Sequence, residues 1–249
     1  KLIANAFLAQ RISSINSMSA LCEKTQANIN DVAIAVGMDS RIGRHFLNSG
    51  PGFGGSCFKK DILNLVYICN FYGLNDVADY WEKVIAINYW QQKRITKIII
   101  EKMFGTVSEK KISVLGFAFK GNTNDTRESP AINICKDLLE EGSYLSIFDP
   151  KVEEIQIAKE LGINQGKLCN PESSSGFWTF ANSINNSAKD ADAILILTDW
   201  FEFFNLNFKE LSLIMRRPCW IFDTRNVVDK NIAKIFGFKV WKIGDGSIK

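Results

Sequence analysis

Glu109–Pro150, EKKISVLGFAFKGNTNDTRESPAINICKDLLEEGSYLSIFDP, decides the fold. Ile112–Phe117 is a short apolar run bounded by charges, the pattern of a strand buried on both faces. Ala131–Leu139 carries helical spacing and stops at Gly142, and Leu145–Phe148 is a second strand-sized run. Ala193–Leu197, Trp220–Phe222 and Phe238–Ile243 repeat the apolar run further on, with helical stretches between them. Strands alternating with helices predict an α/β fold, a doubly wound, Rossmann-like parallel sheet. Asn164–Lys189 is rich in Ser, Asn and Gly and reads as a loose surface excursion.

Residues 1–105 read differently. Leu2, Ile3, Ala6, Phe7, Ala9, Ile12, Ile15, Met18 and Leu21 recur at three- and four-residue spacing, one face of a helix. Asn30 caps a short helix through Val36, ended by Gly37. Helical spacing resumes at Ile62 after a glycine-rich stretch, Ser49–Ser56, and a long pattern runs from about Asp76 to Phe104 and closes at Gly105. The expected layout is a helical central domain over 1–105, its last helix connecting to a Rossmann-like domain over 106–249. Trp81, Trp90, Ile98 and Ile99 on the long helices are candidates for a subunit interface.

Composition narrows the function. Hydrophobic residues make up 46% of the 249, ordinary for a globular chain. No stretch nears the ~18 apolar residues of a membrane span. A net charge of +3, with basic and acidic residues interspersed, argues against nucleic acid as a partner. Six cysteines without a CxxC pair, and one histidine, His45, give no metal-ligand spacing. Their scatter suits a reducing, cytoplasmic setting. The chain begins at Lys1, inside an apolar-periodic segment, and so reads as a fragment.

Gly50-Pro51-Gly52-Phe53-Gly54-Gly55 satisfies G-x-G-x-x-G, but no strand precedes it and its surroundings are helical, so a glycine turn is the better reading. Cys57 follows at once and opens a helix, where unpaired N–H groups and the positive dipole end favour a thiolate. Lys59 and Lys60 add positive charge. Asp61, one turn on, shares a face with Cys57, a pairing suited to covalent catalysis followed by attack of water. A buried structural cysteine is the alternative. Lys1 and Asn5 share a face in the same way, as oxyanion donors or as solvated surface groups. In the second half, Gly116–Lys120 and Asp125–Pro130 lie between a strand end and a helix start, where such folds bind phosphates, with Lys120 and Arg127 supplying charge. Asp149 closes the second strand, suited to a ribose hydroxyl or to a plain turn before Pro150. Phe222–Arg225 ends a later strand on the same edge.

Three of these runs together resemble the nucleotide-sugar dehydrogenases, UDP-glucose 6-dehydrogenases above all. Lys1–Phe7 is similar to the helix opening their central domain. Gly52–Asp61 resembles their active-site motif, and Gly116–Lys120 with Asp125–Ser129 their nucleotide-binding signature. Phe7–Asn16 is especially like the animal-type enzymes, and the likeness weakens after about Val152. The resemblance implies a metal-free, four-electron oxidation of UDP-glucose to UDP-glucuronate with two NAD reduced. Cys57 would trap the aldehyde and carry the thioester, Lys1 and Asn5 would steady the oxyanions, and Asp61 would handle the proton of water. Lys60 and Arg127 would touch NAD. Phe119, Lys120 and Arg225 would hold the uridine diphosphate. Phe46, Leu47 and the glycine stretch with Phe53 and Gly54 would lie along the sugar. Arg41 would reach the sugar of a neighbouring subunit, making a homodimer or higher homo-oligomer part of the site. It also implies that the amino-terminal NAD-binding domain is absent here. Asn48 and Gly50-Pro51 depart from the longer polar stretch with a lysine that the family leads one to expect. A dehydrogenase of GDP-mannose or UDP-N-acetylmannosamine, or a non-catalytic nucleotide-sugar-binding or dimerisation module, are the alternatives.

Overall fold

In the computed structural model, which describes residues 1–169 and 176–247, the run Lys111–Leu115 becomes strand β1 at the centre of a six-stranded sheet. After β1 follow α5 (Pro130–Glu140), β2 (Tyr144–Phe148), α6 (Glu154–Leu161), β3 (Phe177–Phe180), α7 (Ile184–Ala188), β4 (Ala193–Ile196), α8 (Phe208–Ile214), β5 (Trp220–Asp223), α9 (Lys230–Ile235) and β6 (Lys239–Lys242). Before it stand α1 (Leu2–Thr25), α2 (Ile29–Met38), α3 (Phe58–Phe71) and α4 (Asn75–Lys102). The chain divides into two compact units, Lys1–Gln92 with Ile243–Lys249, and Lys93–Lys242. The sequence puts the boundary at 105, whereas the units part inside α4. The last residues return to the helical unit because Gly244 and Gly246 pair there: Ile29 N donates to Gly244 O at 2.9 Å and Gly246 N to Ala27 O at 2.9 Å.

All neighbours in the sheet are parallel, in the order β3-β2-β1-β4-β5-β6. Order reverses between β1 and β4, so right-handed crossovers carry the helices to opposite faces and open a crevice at the strands' carboxyl ends. Ile112, Val114, Leu115 and all of β4 are buried, which is why both strands read as apolar runs, β1 with a buried Ser113 inside it. The expected loose excursion over 164–189 is corrected: β3 pairs with β2 and α7 packs against β1 and β2, while residues 170–175 of that stretch lie outside the described residues. Trp178 anchors β3 by full burial, with its Nε1 donating to Ile163 O at 3.1 Å.

Within the helical unit, α1 packs on α3, and their shared core gathers Ala6, Ala9, Phe53, Ile62, Trp81, Val84 and Ile85. The inward stripe of α1 is Ala6, Ala9, Ser13, Asn16, small or polar residues that let helices approach closely, and Ile3, Phe7 and Leu21 are exposed. Asn28, not Asn30, caps α2, its Oδ1 accepting from Asn30 N at 2.8 Å, and Gly37 lies within the helix instead of ending it. Trp81 and Ile99 are buried inside their own units, while Trp90 remains exposed. Among the described residues, no helix is long and apolar enough to cross a membrane.

Candidate functional site

Cys57 stands at the N-cap of α3 with its side chain exposed and free of any cap hydrogen bond; Ser56 Oγ lies 3.7 Å from its sulfur. The other cysteines differ. Cys22, Cys69, Cys135 and Cys219 are buried, and burial pushes the thiols of Cys22, Cys135 and Cys219 up. Cys169 is half-buried. Exposure at a helix start therefore distinguishes Cys57. Asp61 N donates to Cys57 O at 2.8 Å, the first hydrogen bond of the helix, so Asp61 follows one turn on. Across from it, Asn5 Nδ2 donates to Asp61 Oδ2 at 2.6 Å, joining α1 to α3. Lys1 caps α1 one turn before Asn5 and is exposed, as is Lys60.

The glycine stretch before Cys57 is neither strand nor helix, so its backbone groups need partners from elsewhere. Buried carboxamides supply them. Asn16 Oδ1 accepts from Gly50 N at 2.9 Å, and Gln91 Nε2 donates to Gly50 O at 3.0 Å. Asn88 takes both groups of Phe53, at 2.8 and 3.0 Å. Gly52 sits at φ +134°, and a Cβ there would fall 2.6 Å from Asn88 Oδ1. Sequence reading passed over all three amides. The available signal was a polar residue on the inward stripe of a long helix: Asn88 and Gln92 interrupt the series Trp81, Ile85, Ile95, Ile99.

The preceding loop is gripped by Arg11, also unforeseen. Its guanidinium donates to Ile42 O, Gly43 O and His45 O at 2.8, 2.7 and 2.9 Å. Phe46 follows at φ +60°, half out in solvent, 6.3 Å ring to ring from Phe58. Leu47 and Phe53 turn their side chains into the core, and both backbone groups of Phe53 are spent on Asn88. Arg41 is exposed and doubly bonded to Asp39, at 3.0 and 2.6 Å, which holds the Asp39 carboxyl below its ordinary value.

In the sheet unit, Gly116 leaves β1 at φ +92°, so close to Thr198 that any Cβ would collide. Phe119 and Lys120 follow, Lys120 exposed with its ammonium 5.4 Å above the Phe119 ring. Arg225, after β5, donates through Nε to Leu197 O at 2.8 Å and through Nη2 to Phe119 O at 3.1 Å. It thus spans the carboxyl ends of β5, β4 and β1, the point where strand order reverses. Burial lowers its pKa, opposed by the Asp199 carboxylate. Arg127 is bonded to Asp125, Nη2 to Oδ2 at 2.7 Å. Asp149 spends both carboxylate oxygens within the fold. Its Oδ2 accepts from Phe117 N, Ala118 N and Trp200 Nε1 at 2.7, 3.0 and 3.1 Å, and its Oδ1 from Lys151 N and Val152 N at 2.9 and 3.0 Å. Among the described residues, no group of three His, Cys, Asp or Glu side chains could hold a metal ion.

Known proteins match this chain in sequence and fold. The profile of the UDP-glucose/GDP-mannose dehydrogenase family, central domain, matches residues 1–90, and that of the same family's UDP binding domain matches residues 113–230. The second match runs well past Val152, where the motif likeness fades. UDP-glucose 6-dehydrogenase 3 of Arabidopsis thaliana is 53% identical over 98% of this chain and 52% of its own length. The UDP-glucose 6-dehydrogenase of Drosophila melanogaster is 50% identical over 98% and 51%. Plant and animal relatives are thus similarly near. The structure of a UDP-glucose dehydrogenase from the archaeon Pyrobaculum islandicum superposes with a TM-score of 0.78 at 28% identity, covering 98% of this chain and 50% of that one. The chain spans about half the length of the relatives it matches.

Proposed function

Because the chain belongs to the UDP-glucose/GDP-mannose dehydrogenase family, we propose that it carries the nucleophile and the uridine diphosphate site of a cytoplasmic UDP-glucose 6-dehydrogenase. The observation that carries this is the exposed Cys57 at the start of α3, with Asp61 one turn on and oriented by Asn5.

The chemistry follows from those groups. C6 of the sugar, a primary alcohol, loses a hydride and a proton to become an aldehyde. The Cys57 thiolate adds to the aldehyde carbon, forming a C–S bond and an alkoxide that Lys1 and a free N–H of Asn5 stabilise. Loss of a second hydride from that carbon leaves a thioester. Water then adds to the thioester, Asp61 takes its proton, and the C–S bond breaks to return the thiolate and release a carboxylate. One alcohol, one water and two hydride acceptors thus yield one carboxylate, two reduced acceptors and three protons. NAD, when bound, supplies the acceptor.

The residues here fit contact with a dinucleotide but not its cradle. Gly50 and Phe53 have their backbone groups taken by Asn16, Gln91 and Asn88, which leaves the G-x-G-x-x-G run unable to wrap a pyrophosphate. Lys60 and Arg127 are the contacts we assign to NAD. This chain alone is therefore expected to make no NADH from UDP-glucose. At the sheet edge, Lys120 and Arg225 meet the diphosphate and Phe119 the uridine. In the helical unit, Phe46 with the backbone of Leu47 and Gly54 borders the sugar, and Phe53 holds that stretch in place through its bonds to Asn88. Arg41, its side chain 88% exposed, must release or share Asp39 to reach a neighbouring subunit, and a homodimer or larger homo-oligomer completes the site. Phe71, Tyr72 and Tyr67, each at least 70% exposed, are the apolar surface that such an assembly covers.

Asp61→Asn in the full-length protein tests the order of events. It keeps the hydrogen bond to Asn5 in reach but cannot take a proton, so hydrolysis slows by ~10²–10⁴-fold and a glucuronyl thioester accumulates on Cys57. Intact mass spectrometry after an acid quench detects the adduct. Turnover lost with neither an adduct nor a single-turnover burst of NADH would falsify this assignment. Calorimetry with UDP-glucose and GDP-mannose distinguishes the substrates.

A further inference from the structure

We propose that Asn88 is a positioning residue for the nucleophile: from inside α4 its carboxamide fixes both backbone groups of Phe53 and so sets where Cys57 stands. This rests on the reading of Cys57 as the nucleophile, and the test below separates the two.

Asn88 is 5% exposed, and its carboxamide is bonded to the Phe53 backbone, four residues before Cys57. Its Oδ1 accepts from Phe53 N at 2.8 Å and its Nδ2 donates to Phe53 O at 3.0 Å, so both arms of the amide are spent on one residue of the loop. An amide held at both ends tolerates neither rotation nor sliding of the peptide it holds. Gly52 brings the loop against that amide more closely than a Cβ would permit, in a left-handed conformation that glycine favours. Downstream of the clamp the path to the sulfur is short. Phe53 is buried among Ile62, Trp81 and Val84, its ring 5.8 Å from that of Phe58, the first residue of α3. Cys57 lies between these two anchored aromatics. Gln91 and Asn16 act in the same manner on Gly50, seven residues before the sulfur, and their hold reaches Cys57 only through Phe53. The interior of the helical unit thus contains a polar brace whose outcome is the location of a thiol on its surface.

The experiment uses the full-length protein with Asn88→Ala, Asn88→Asp and a Cys57→Ala control. It measures kcat and KM per folded molecule, and the carboxymethylation rate of Cys57 against Cys169 as internal reference. A displaced nucleophile costs ~10²-fold in kcat, while KM for UDP-glucose changes far less, because the nucleotide is held mainly at the sheet edge. The Cys57 to Cys169 labelling ratio shifts several-fold with it. Asn88→Asp keeps the acceptor for Phe53 N, loses the donor to Phe53 O, and falls between parent and alanine. Should the alanine variant fail to fold, Asn88→Asp and Gly52→Ala, which strains the same contact from the loop side, carry the test. A purely structural role predicts a lower Tm with parental kcat per folded molecule and a parental labelling ratio, and that result overturns the proposal. If Cys57→Ala keeps full turnover, the nucleophile assignment itself fails. If that control is inactive while the Asn88 variants turn over like the parent, only the role of Asn88 falls.

Discussion

The two units hold their candidate site residues in opposite ways. At the sheet edge, buried carboxylates collect backbone N–H groups: Asp149 binds the loop after β1, and Asp223 receives Arg225 N, Val227 N and Val228 N at 3.0, 3.3 and 2.8 Å. In the helical unit, neutral carboxamides grip a glycine loop by both N–H and C=O. A carboxylate accepts only and suits a strand end or helix start, where donors converge. An amide donates and accepts, which suits an irregular peptide with both groups unpaired. The difference teaches that the sheet builds its site from the geometry of strand termini, while the helical unit has to supply its own.

Removing each brace is the strongest way to break that contrast. Asp149→Ala leaves five donors to find new partners. At ~1–3 kcal/mol for each buried group left unsatisfied, and with water recovering some, the loss is about 3–5 kcal/mol of stability. Asn88→Ala orphans one donor and one acceptor and costs about 1–3 kcal/mol. Urea unfolding of both variants makes the comparison, and a larger loss from Asn88 reverses the ranking.

Arg225→Lys sharpens the sheet half. A lysine cannot reach Leu197 O and Phe119 O together as the guanidinium fork does. Affinity for uridine diphosphate falls ~10–100-fold by calorimetry, while Cys57 labels at the parental rate. Unchanged affinity restricts Arg225 to bracing the strand ends.

What the sequence revealed follows the same division. Ile112–Phe117 and Ala193–Leu197 announced the parallel sheet because strands buried on both faces are mainly apolar, Ser113 being buried among the apolar residues of β1. Edge strand β3 escaped because only Trp178 of its four residues is buried, and it lies in a stretch of Ser and Asn. The position of Cys57 at a helix start with Asp61 one turn on was legible from helix spacing, whereas the pairing of Asp61 with Asn5, 56 residues apart, required the fold. Periodicity counts apolar residues, so it pointed to Ile3 and Phe7 on α1, both exposed, and missed Ser13 and Asn16, both buried. The same blindness hid Asn88 and Gln91. Arg11 looked like one surface cation among many until three carbonyls were found around it.

Arg11→Lys gives a smaller effect. A single ammonium satisfies one or two of the three carbonyls, so the loop bearing Arg41 and Phe46 loosens. KM for UDP-glucose rises ~5–10-fold with kcat within about twofold, since the Cys57 loop keeps its own brace. Steady-state kinetics decides, and an equal fall in kcat would show that the two loops move as one.

The smallest effect concerns the ion pair beside the phosphate edge. Arg127 holds the Asp125 carboxyl below its ordinary value, chiefly through side-chain hydrogen bonds, with burial acting against it. A carboxylate with a lowered folded-state pKa stabilises the fold above its unfolded value, near 3.8, and loses that contribution as pH falls through the folded value. The Arg127 side chain is 65% exposed and that of Asp125 21%, so solvent screens most of the attraction and the pair contributes at most about 0.2–1 kcal/mol. Parent and Asp125→Asn should therefore differ by that small amount from pH 5 to 7 and converge toward pH 3, as measured by urea unfolding at each pH. Salt should shrink the gap as well. The pair also bears on ligand contact, because a guanidinium tied to Asp125 must release it or share it to meet a phosphate. Asp125→Asn removes this ion pair, so an affinity for inorganic pyrophosphate that rises modestly in the variant means that the pair restrains Arg127. An affinity that falls means that Asp125 aims it, and the sheet edge then uses carboxylates to direct cations as well as to gather backbone donors.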